Sequence, residues 1–325
     1  MRLRFGTFNL FQFVAPPFSW YIKKDQFTNE EFQEKKEWVS QQIKRMKCDI
    51  IGFQEVFSID ELQSLCKDAG FNYFVTVDKP TVEKETIFTS TVVALASKYP
   101  IKDIQEIPVH KPTLKEHNYK AKTVFARKPI KALIELPNQQ NIWLYVCHLK
   151  SNRLNEFEYT FKEKDSLAFK KKQTKTALKD RYSNALRQRL CEVTSLYYDI
   201  KKQTLPTVLM GDMNDKQYSI CLEALTNSAY YDEKRKESLL IDAYTLHTPI
   251  EYNPHPEAKE VKRTPTSYYQ GYGNIIDYIF ITKEWLPTFK ITNYEILDEH
   301  LQKHKDGSLL QSDHAQVVCE ISLNA

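Results

Sequence analysis

Ile275-Ile276-Asp277-Tyr278-Ile279-Phe280-Ile281 is an apolar strand pattern with one carboxylate set inside it. An Asp buried without a partner is rare, so Asp277 needs one. Ser312-Asp313-His314, further along, offers it. An Asp–His pair fixes the imidazole tautomer and raises its basicity. Working back, Val208-Leu209-Met210-Gly211-Asp212-Met213-Asn214 is a second buried-strand pattern, and it ends in an Asp and an Asn. In an extended chain, residues two apart face the same side, so Asp212 and Asn214 are expected to project together. Acidic and amide groups just past an apolar strand are poor core residues. They are good ligands for a divalent cation and a phosphate.

Three more apolar runs end the same way. Residues 3–9 alternate like a strand and close on Thr7-Phe8-Asn9. Cys48-Asp49-Ile50-Ile51-Gly52-Phe53-Gln54-Glu55 closes on a carboxylate, which is costly there unless it is paired or bound to metal. Mg²⁺ takes oxygen donors and commonly only one or two protein carboxylates, which makes Glu55 a candidate ligand. Tyr145-Val146-Cys147-His148 is followed by Leu149-Lys150-Ser151 and Arg153, a candidate phosphate rim. Each piece alone has a blander reading. Asn9 and Asp212-Met213-Asn214 can be turns, Glu55 a surface carboxylate, His148 a satisfied core histidine, and Ser312-Asp313-His314 a turn or helix cap. Their order and placement together favour chemistry.

Thr7-Phe8-Asn9, Gly52-Phe53-Gln54-Glu55, His148-Leu149-Lys150-Ser151, Gly211-Asp212-Met213-Asn214, Ile276-Asp277-Tyr278-Ile279-Phe280 and Ser312-Asp313-His314 span nearly the whole chain. In that order they resemble the endonuclease/exonuclease/phosphatase superfamily, with its deoxyribonuclease I-like fold. The last three are the most diagnostic. The resemblance implies an α/β (α+β) fold, a four-layer sandwich of two packed mixed β-sheets flanked by helices. It implies a metal-dependent phosphoester hydrolase using Mg²⁺, or Mn²⁺ in its place. Glu55 would be the principal metal ligand, with Asn9 and Asp313 nearby. Asp212 and Asn214 would bind or activate the water and hold the scissile phosphate. His314, oriented by Asp277, would be the general acid/base, and His148 would join the catalytic set. Lys150, Asn214 and His148 would face the substrate phosphate. His148 stands where deoxyribonucleases and sphingomyelinases have His and apurinic-site endonucleases have Tyr, which argues against abasic-site repair. Tyr268 and Tyr269 are candidates for an aromatic position that the family often shows in the loop before the Asp277 strand.

The rest of the sequence is consistent with one enzyme domain. The 325 residues are 42% apolar and 27% charged, with only 7 glycines, and no internal repeat is visible. One domain over 1–325 is expected, with a basic helical insertion near 154–190. From Lys162 to Arg189 there are ten Lys or Arg and three acids, although the net charge of the whole chain is only +4. Thr28 and Glu31 form a capping-box pattern for a helix over 29–46. Ser58 caps a second helix to residue 69, and Gly70 stops it. Strands are expected over 73–77, 91–97, 124–136, 142–149, 207–212, 275–282, 289–297 and 315–322. One long helical stretch is expected over 154–198, a short helix over 219–225, and a loop at Pro249, Pro254, Pro256 and Pro265. The six cysteines are scattered with no CxxC pair and read as buried thiols. No apolar run approaches the roughly 18 residues of a membrane span, and no leader pattern precedes the first strand. A cytoplasmic monomer is expected, or a secreted one if a leader has been removed.

The shared motifs name a reaction, not a substrate. A nuclease is the leading reading: basic residues in 162–189 would neutralise backbone phosphates, and Tyr-rich loops would stack on bases. The alternative is a phosphatase or phosphodiesterase acting on a phospholipid or inositol phosphate. Phe11, Phe13, Phe18, Trp20 and Tyr21 around Pro16-Pro17 would then supply a membrane-facing patch, unless they pack as a lid. A non-catalytic scaffold is the third reading, disfavoured because every motif position holds a chemically competent residue.

Overall fold

Strand Arg2–Phe13 runs parallel to Ile50–Val56 and antiparallel to Gln316–Leu323. Its alternation feeds two cores. Leu3 and Phe5 point inward to a second sheet, whereas Phe8 and Leu10 point outward to helices. Val92–Ser97 and Tyr73–Val75 extend the sheet on one side, and Phe289–Leu297 closes it on the other. The computed structural model describes residues 1–23, 25–120, 123–152, 159–179, 183–231, 240–247, 263–301 and 310–323. Its second six-stranded sheet has the order Leu240–Asp242, Asp277–Thr282, Thr207–Asp212, Asn141–His148, Ile130–Glu135, Ile101–Ile104. Thr207–Asp212 is buried at every position, and that is why it reads as a continuous apolar run.

The two sheets pack face to face through Phe5, Leu95, Leu144, Met210, Ile279 and Val317, among others. Gly52 permits the close approach, since a Cβ there would lie 2.9 Å from Val146 Cγ1. Helices α1 (Asn29–Met46) and α2 (Ile59–Asp68) cover the outer face of the first sheet. On the second, α3 (Lys111–Glu116) and α4 (Leu167–Ala177) pack against α5 (Asn184–Ile200) and α6 (Ile220–Thr226), which lie over Tyr145, Leu209 and Phe280. The result is the four-layer sandwich that the motifs implied.

Local signals explain much of this. The capping box at α1 is complete: Glu31 N–H donates to Thr28 Oγ1 at 3.1 Å, and Thr28 N–H donates to Glu31 Oε2 at 2.8 Å. Ser58 stands at the N-cap of α2, but its hydroxyl accepts from Ala15 N–H at 2.7 Å instead of capping the helix. All six cysteines are buried free thiols.

Two expectations change. The single stretch over 154–198 is two helices, because α4 packs on α6 whereas α5 packs on the sheet. The strand expected from 124 begins at Ile130, after Pro129, which has no N–H to give a ladder. Arg153, residues 154–158 and the Pro249, Pro254 and Pro256 loop lie outside the described residues. Among the described residues, no helix is long and apolar enough to cross a membrane.

Candidate active site

The parallel pairs of both sheets end at the same edge of the sandwich. In the second sheet His148 pairs in register with Asp212, and Asp212 with Asp277, so three polar side chains sit side by side on adjacent strands. Gly211 makes this possible. Its φ is +144°, and a Cβ would lie 1.9 Å from Cys147 O. In the first sheet Asn9 pairs with Gln54, one residue before Glu55. The sheets are joined at this edge by Asn9 Nδ2, which donates to Asp212 Oδ2 at 3.1 Å. Ser312 Oγ donates to Asn9 O at 2.6 Å and accepts from His314 N–H at 3.0 Å, so the C-terminal motif is tied to the first strand.

His314 Nδ1 is 2.9 Å from Asp277 Oδ2. Its Nε2 is 4.0 Å from Asp212 Oδ2 and 3.8 Å from Asp313 Oδ1. Burial opposes charge on this ring, but Asp277, Asp313 and Asp212 together overcome it and raise the pKa well above the usual value. His148 is the reverse. Its Nε2 lies 3.3 Å from Asp212 Oδ2, yet burial, then Arg127, His314 and Lys150, push its pKa well below the usual value. Two imidazoles flank one carboxylate, one held cationic and one neutral. Asp212 itself is pushed up to about 7 by burial, Asp277 and Glu55, with His314 pulling the other way. Asp313 is pushed up to about 6 by burial, Glu55 and Asp277. Such a spread of proton affinities within one cluster is a mark of acid–base sites.

Some predicted residues are used differently. Asn214 does not continue the strand beside Asp212. Its φ is +49°, its N–H donates to Asp212 Oδ1 at 2.7 Å, and its Nδ2 donates to Leu149 O at 3.0 Å. This is an Asx-type turn that also anchors the residue after His148. The side-chain oxygen of Asn9 accepts from Phe11 N–H at 3.1 Å, which makes Asn9 a positioning group for Asp212 more than a free ligand. Glu55 is half-buried, with φ +57°, and its Oε2 accepts from Gln12 N–H at 3.0 Å. Phe11 and Gln12 are left-handed too, so the strand register shifts where the carboxylate emerges.

Other residues escaped the sequence reading. Arg127 Nη1 donates to Leu149 O at 3.0 Å, and its charge works against the burial and the Glu55 carboxylate that raise the pKa of Tyr21. Tyr21 and Arg127 therefore form one wall of the centre. Arg127 was hidden in a stretch that read as a strand. Lys35 lies in the apolar stripe Phe32, Lys35, Val39, Ile43, Met46 of α1 and is fully buried. Its Nζ donates to Gln311 O at 3.3 Å. Burial lowers it to about 7, although Glu55 and Asp313 oppose the change. Glu192 on α5 accepts from Ala126 N–H and Lys150 N–H, both at 2.7 Å, and Arg189 Nη1 donates to Lys150 O at 3.1 Å. A buried acid and a buried base thus grip the backbone of the predicted phosphate residue Lys150.

The cluster suits a cation. Glu55 and Asp277 raise the proton affinity of both Asp212 and Asp313 because negative charge is concentrated there, and among the described residues Asp313 Oδ1 and Asp277 Oδ1 are buried without hydrogen-bond partners. Oxygen donors of this kind fit a hard divalent ion. Asp212, Asp277 and His314 offer ligand atoms within 4.8 Å of one another. Asp277 and His314 are already bonded to each other, however, so Glu55 and Asp313 are the better donors.

The aromatic positions divide. Tyr268 and Tyr269 belong to the hairpin Ser267–Tyr269/Tyr272–Asn274, which abuts the centre through a bridge between Ser267 and His314. Tyr272 is 75% exposed and Tyr269 42%. The Pro16-Pro17 loop is mostly packed: Phe18 stacks on Phe88, and Trp20 is buried against Phe27.

No curated protein matches the chain by sequence. Solved structures show the same fold. The human nocturnin catalytic domain with bound sulfate superposes with a TM-score of 0.59 at 16% identity, covering 99% of this chain and 94% of that one. A humanised D. rerio TDP2 gives 0.59 at 13%, covering 99% of both, and D. rerio TDP2 complexed with a single strand DNA product gives 0.55 at 12% with the same coverage. The Bacteroides thetaiotaomicron mannosyl-6-phosphatase gives 0.54 at 13%, covering 98% and 99%. The family model for the endonuclease/exonuclease/phosphatase family matches residues 6–314, and the chain belongs to that family.

Proposed function

We propose that this chain is a Mg²⁺-dependent phosphodiesterase that hydrolyses nucleic acid. The observation that carries the reaction is the convergence on Asp212 of Asn9 from the first sheet and His148 and the Asp277–His314 pair from the second. Asp212 takes the proton of the attacking water, since its affinity sits near neutral pH. Asp277 holds His314 protonated with Nε2 facing the centre, where it donates to the phosphoryl and leaving oxygens. His148 stays neutral and orients Asp212. Arg127 and Lys150 supply positive charge beside the phosphate. Glu55 and Asp313 would hold Mg²⁺, which would neutralise charge on the phosphoryl oxygens.

Nucleic acid is favoured by the exposed Tyr269 and Tyr272, which offer flat faces for bases next to His314. The phospholipid reading has less to rest on, because Phe18 and Trp20 of the aromatic loop are spent on packing and leave Tyr21 as its exposed ring. The test is a panel of single- and double-stranded DNA, RNA, a phosphoinositide, sphingomyelin and mannose 6-phosphate, each with Mg²⁺ and with EDTA. Cleavage of DNA or RNA that needs Mg²⁺ and disappears in Asp212→Ala is expected. Turnover confined to a lipid or sugar phosphate would replace the substrate assignment. Nuclease activity retained in Asp212→Ala would remove the mechanism.

A further inference from the structure

A cavity of about 1040 Å³ lies on the outer side of the second sheet, between α3, α4, α5 and the tyrosines after α6. Among the described residues it shares no lining residue with the catalytic centre. One wall carries Lys171, Lys175 and Lys179, spaced four apart so that they share one side of α4 and its exit. Arg187 at the start of α5 adds a fourth cation. Among the described lining residues Glu116 is the single carboxylate, which leaves these residues with an excess of three positive charges. Like charges four apart on a helix destabilise it unless an anion sits among them. Among the described residues, Arg187 Nε and the hydroxyl of Thr174, on the same wall, are buried without hydrogen-bond partners.

Much of the remaining lining is aromatic, and it adjoins the cationic wall, since Lys171 Nζ lies 5.1 Å from the centre of the Tyr230 ring. His110 stacks on Tyr198 with ring centroids 3.8 Å apart and planes at 17°, and Tyr230 and Tyr231 line the cavity beside them. Cations adjoining aromatic rings in one cavity are complementary to a ligand that carries both phosphates and a planar ring. The volume is at the upper end of the range for small-molecule pockets. We infer that this cavity is a nucleotide-binding site, distinct from the catalytic centre, that takes a mono- or dinucleotide with its phosphates on Lys171, Lys175 and Lys179 and its base against the Tyr198 side.

The test is calorimetric titration of ADP into the full chain in EDTA, with inorganic pyrophosphate and inositol hexakisphosphate as comparison ligands. One saturable ADP site is expected, at least tenfold tighter than for pyrophosphate, because only ADP brings a ring. The double variant Lys175→Glu/Lys179→Glu changes exposed side chains and should weaken ADP at least tenfold. Arg127→Ala, at the catalytic centre, should leave it unchanged. Absence of saturable ADP binding, or binding that survives the double variant and is lost in Arg127→Ala, overturns the inference. Inositol hexakisphosphate binding tighter than ADP overturns the assignment of a ring-bearing ligand.

Discussion

Glu192→Gln is predicted to reverse the sign of its effect on stability between acid and alkaline pH. Glu192 is completely buried, and its two oxygens accept from Ala126 N–H and Lys150 N–H. Burial pushes the carboxyl up to about 7 from 4.5, against the pull of those two N–H groups and of Arg127 and Arg189. Between those values the folded protein binds a proton that the unfolded chain has released. Stability therefore falls as pH rises through the window, by about 1.4 kcal/mol per pH unit and on the order of 3 kcal/mol in all. The glutamine side chain carries no charge at any pH, so this slope vanishes. It has only one acceptor oxygen, so one buried N–H loses its partner, at a cost of about 1–3 kcal/mol. Near pH 5 the variant should be less stable than the parent by that amount. Near pH 8 the parent has lost its own 3 kcal/mol or so, and the variant should equal or exceed it. Urea unfolding of both proteins at pH 5, 6, 7 and 8 measures the difference. A gap that stays constant across the series would refute the placement of Glu192 as a buried acid titrating near neutrality.

Asp277→Asn should cut turnover of a chromogenic phosphodiester by about 10²- to 10⁴-fold, because an amide does not hold the His314 cation in place. A kcat near that of the parent would take the Asp277–His314 pair out of the mechanism. Gly211→Ala should lose several kcal/mol in chemical denaturation, since the added Cβ meets Cys147 O at 1.9 Å in a left-handed backbone. Gly70→Ala is the control: at φ +88° nothing lies within 4 Å of the new Cβ, so the loss should be only about 1 kcal/mol. Similar losses in the two would contradict the packing at Gly211. Mg²⁺ at a hundred times its Kd should stabilise the protein by about 2.7 kcal/mol, and Glu55→Gln should abolish most of that gain. An equal thermal shift in both proteins would move the metal away from Glu55.

What the sequence made legible was a contrast of kind. A single Asp, His or Asn at the end of an apolar run stands out because the run predicts burial and the residue opposes it. Asp212 and His148 are read that way, and Asp277 as a carboxylate set inside such a run; the second sheet puts the three in register because two parallel strands end, and the antiparallel third begins, at the same edge. Backbone geometry gave no such contrast. The left-handed conformations of Phe11, Gln12 and Glu55 occur in residues that normally avoid them. Nothing in their types announces the bulge that turns Glu55 toward the centre; the turn at Asp212-Met213-Asn214 was one of the readings open to that stretch, but its bond to Leu149 was not legible.

Charged residues that are buried in pairs were hidden for a different reason. Helical periodicity is read from apolar positions, so a Lys, Arg or Glu is assigned to the solvated side by default. Lys35, Lys170, Arg189 and Glu192 all contradict that default. Lys170 is bonded to Glu223 at 2.6 Å, and Arg189 to Asp215 at 3.3 Å. Lys35 could have been found, since it interrupts an otherwise apolar i, i+3, i+4 stripe. The same blindness distorts the reading of the basic stretch over 162–189. Lys170 and Arg189, two of its ten cations, are spent on internal carboxylates and cannot release counterions from a nucleic acid. Lys171, Lys175, Lys179 and Arg187 line a cavity instead of the cleft that holds Asp212. The salt dependence of nucleic-acid binding should therefore be much shallower than ten phosphate contacts would give, and it should be set by Arg127, Lys150 and the surface around the catalytic edge.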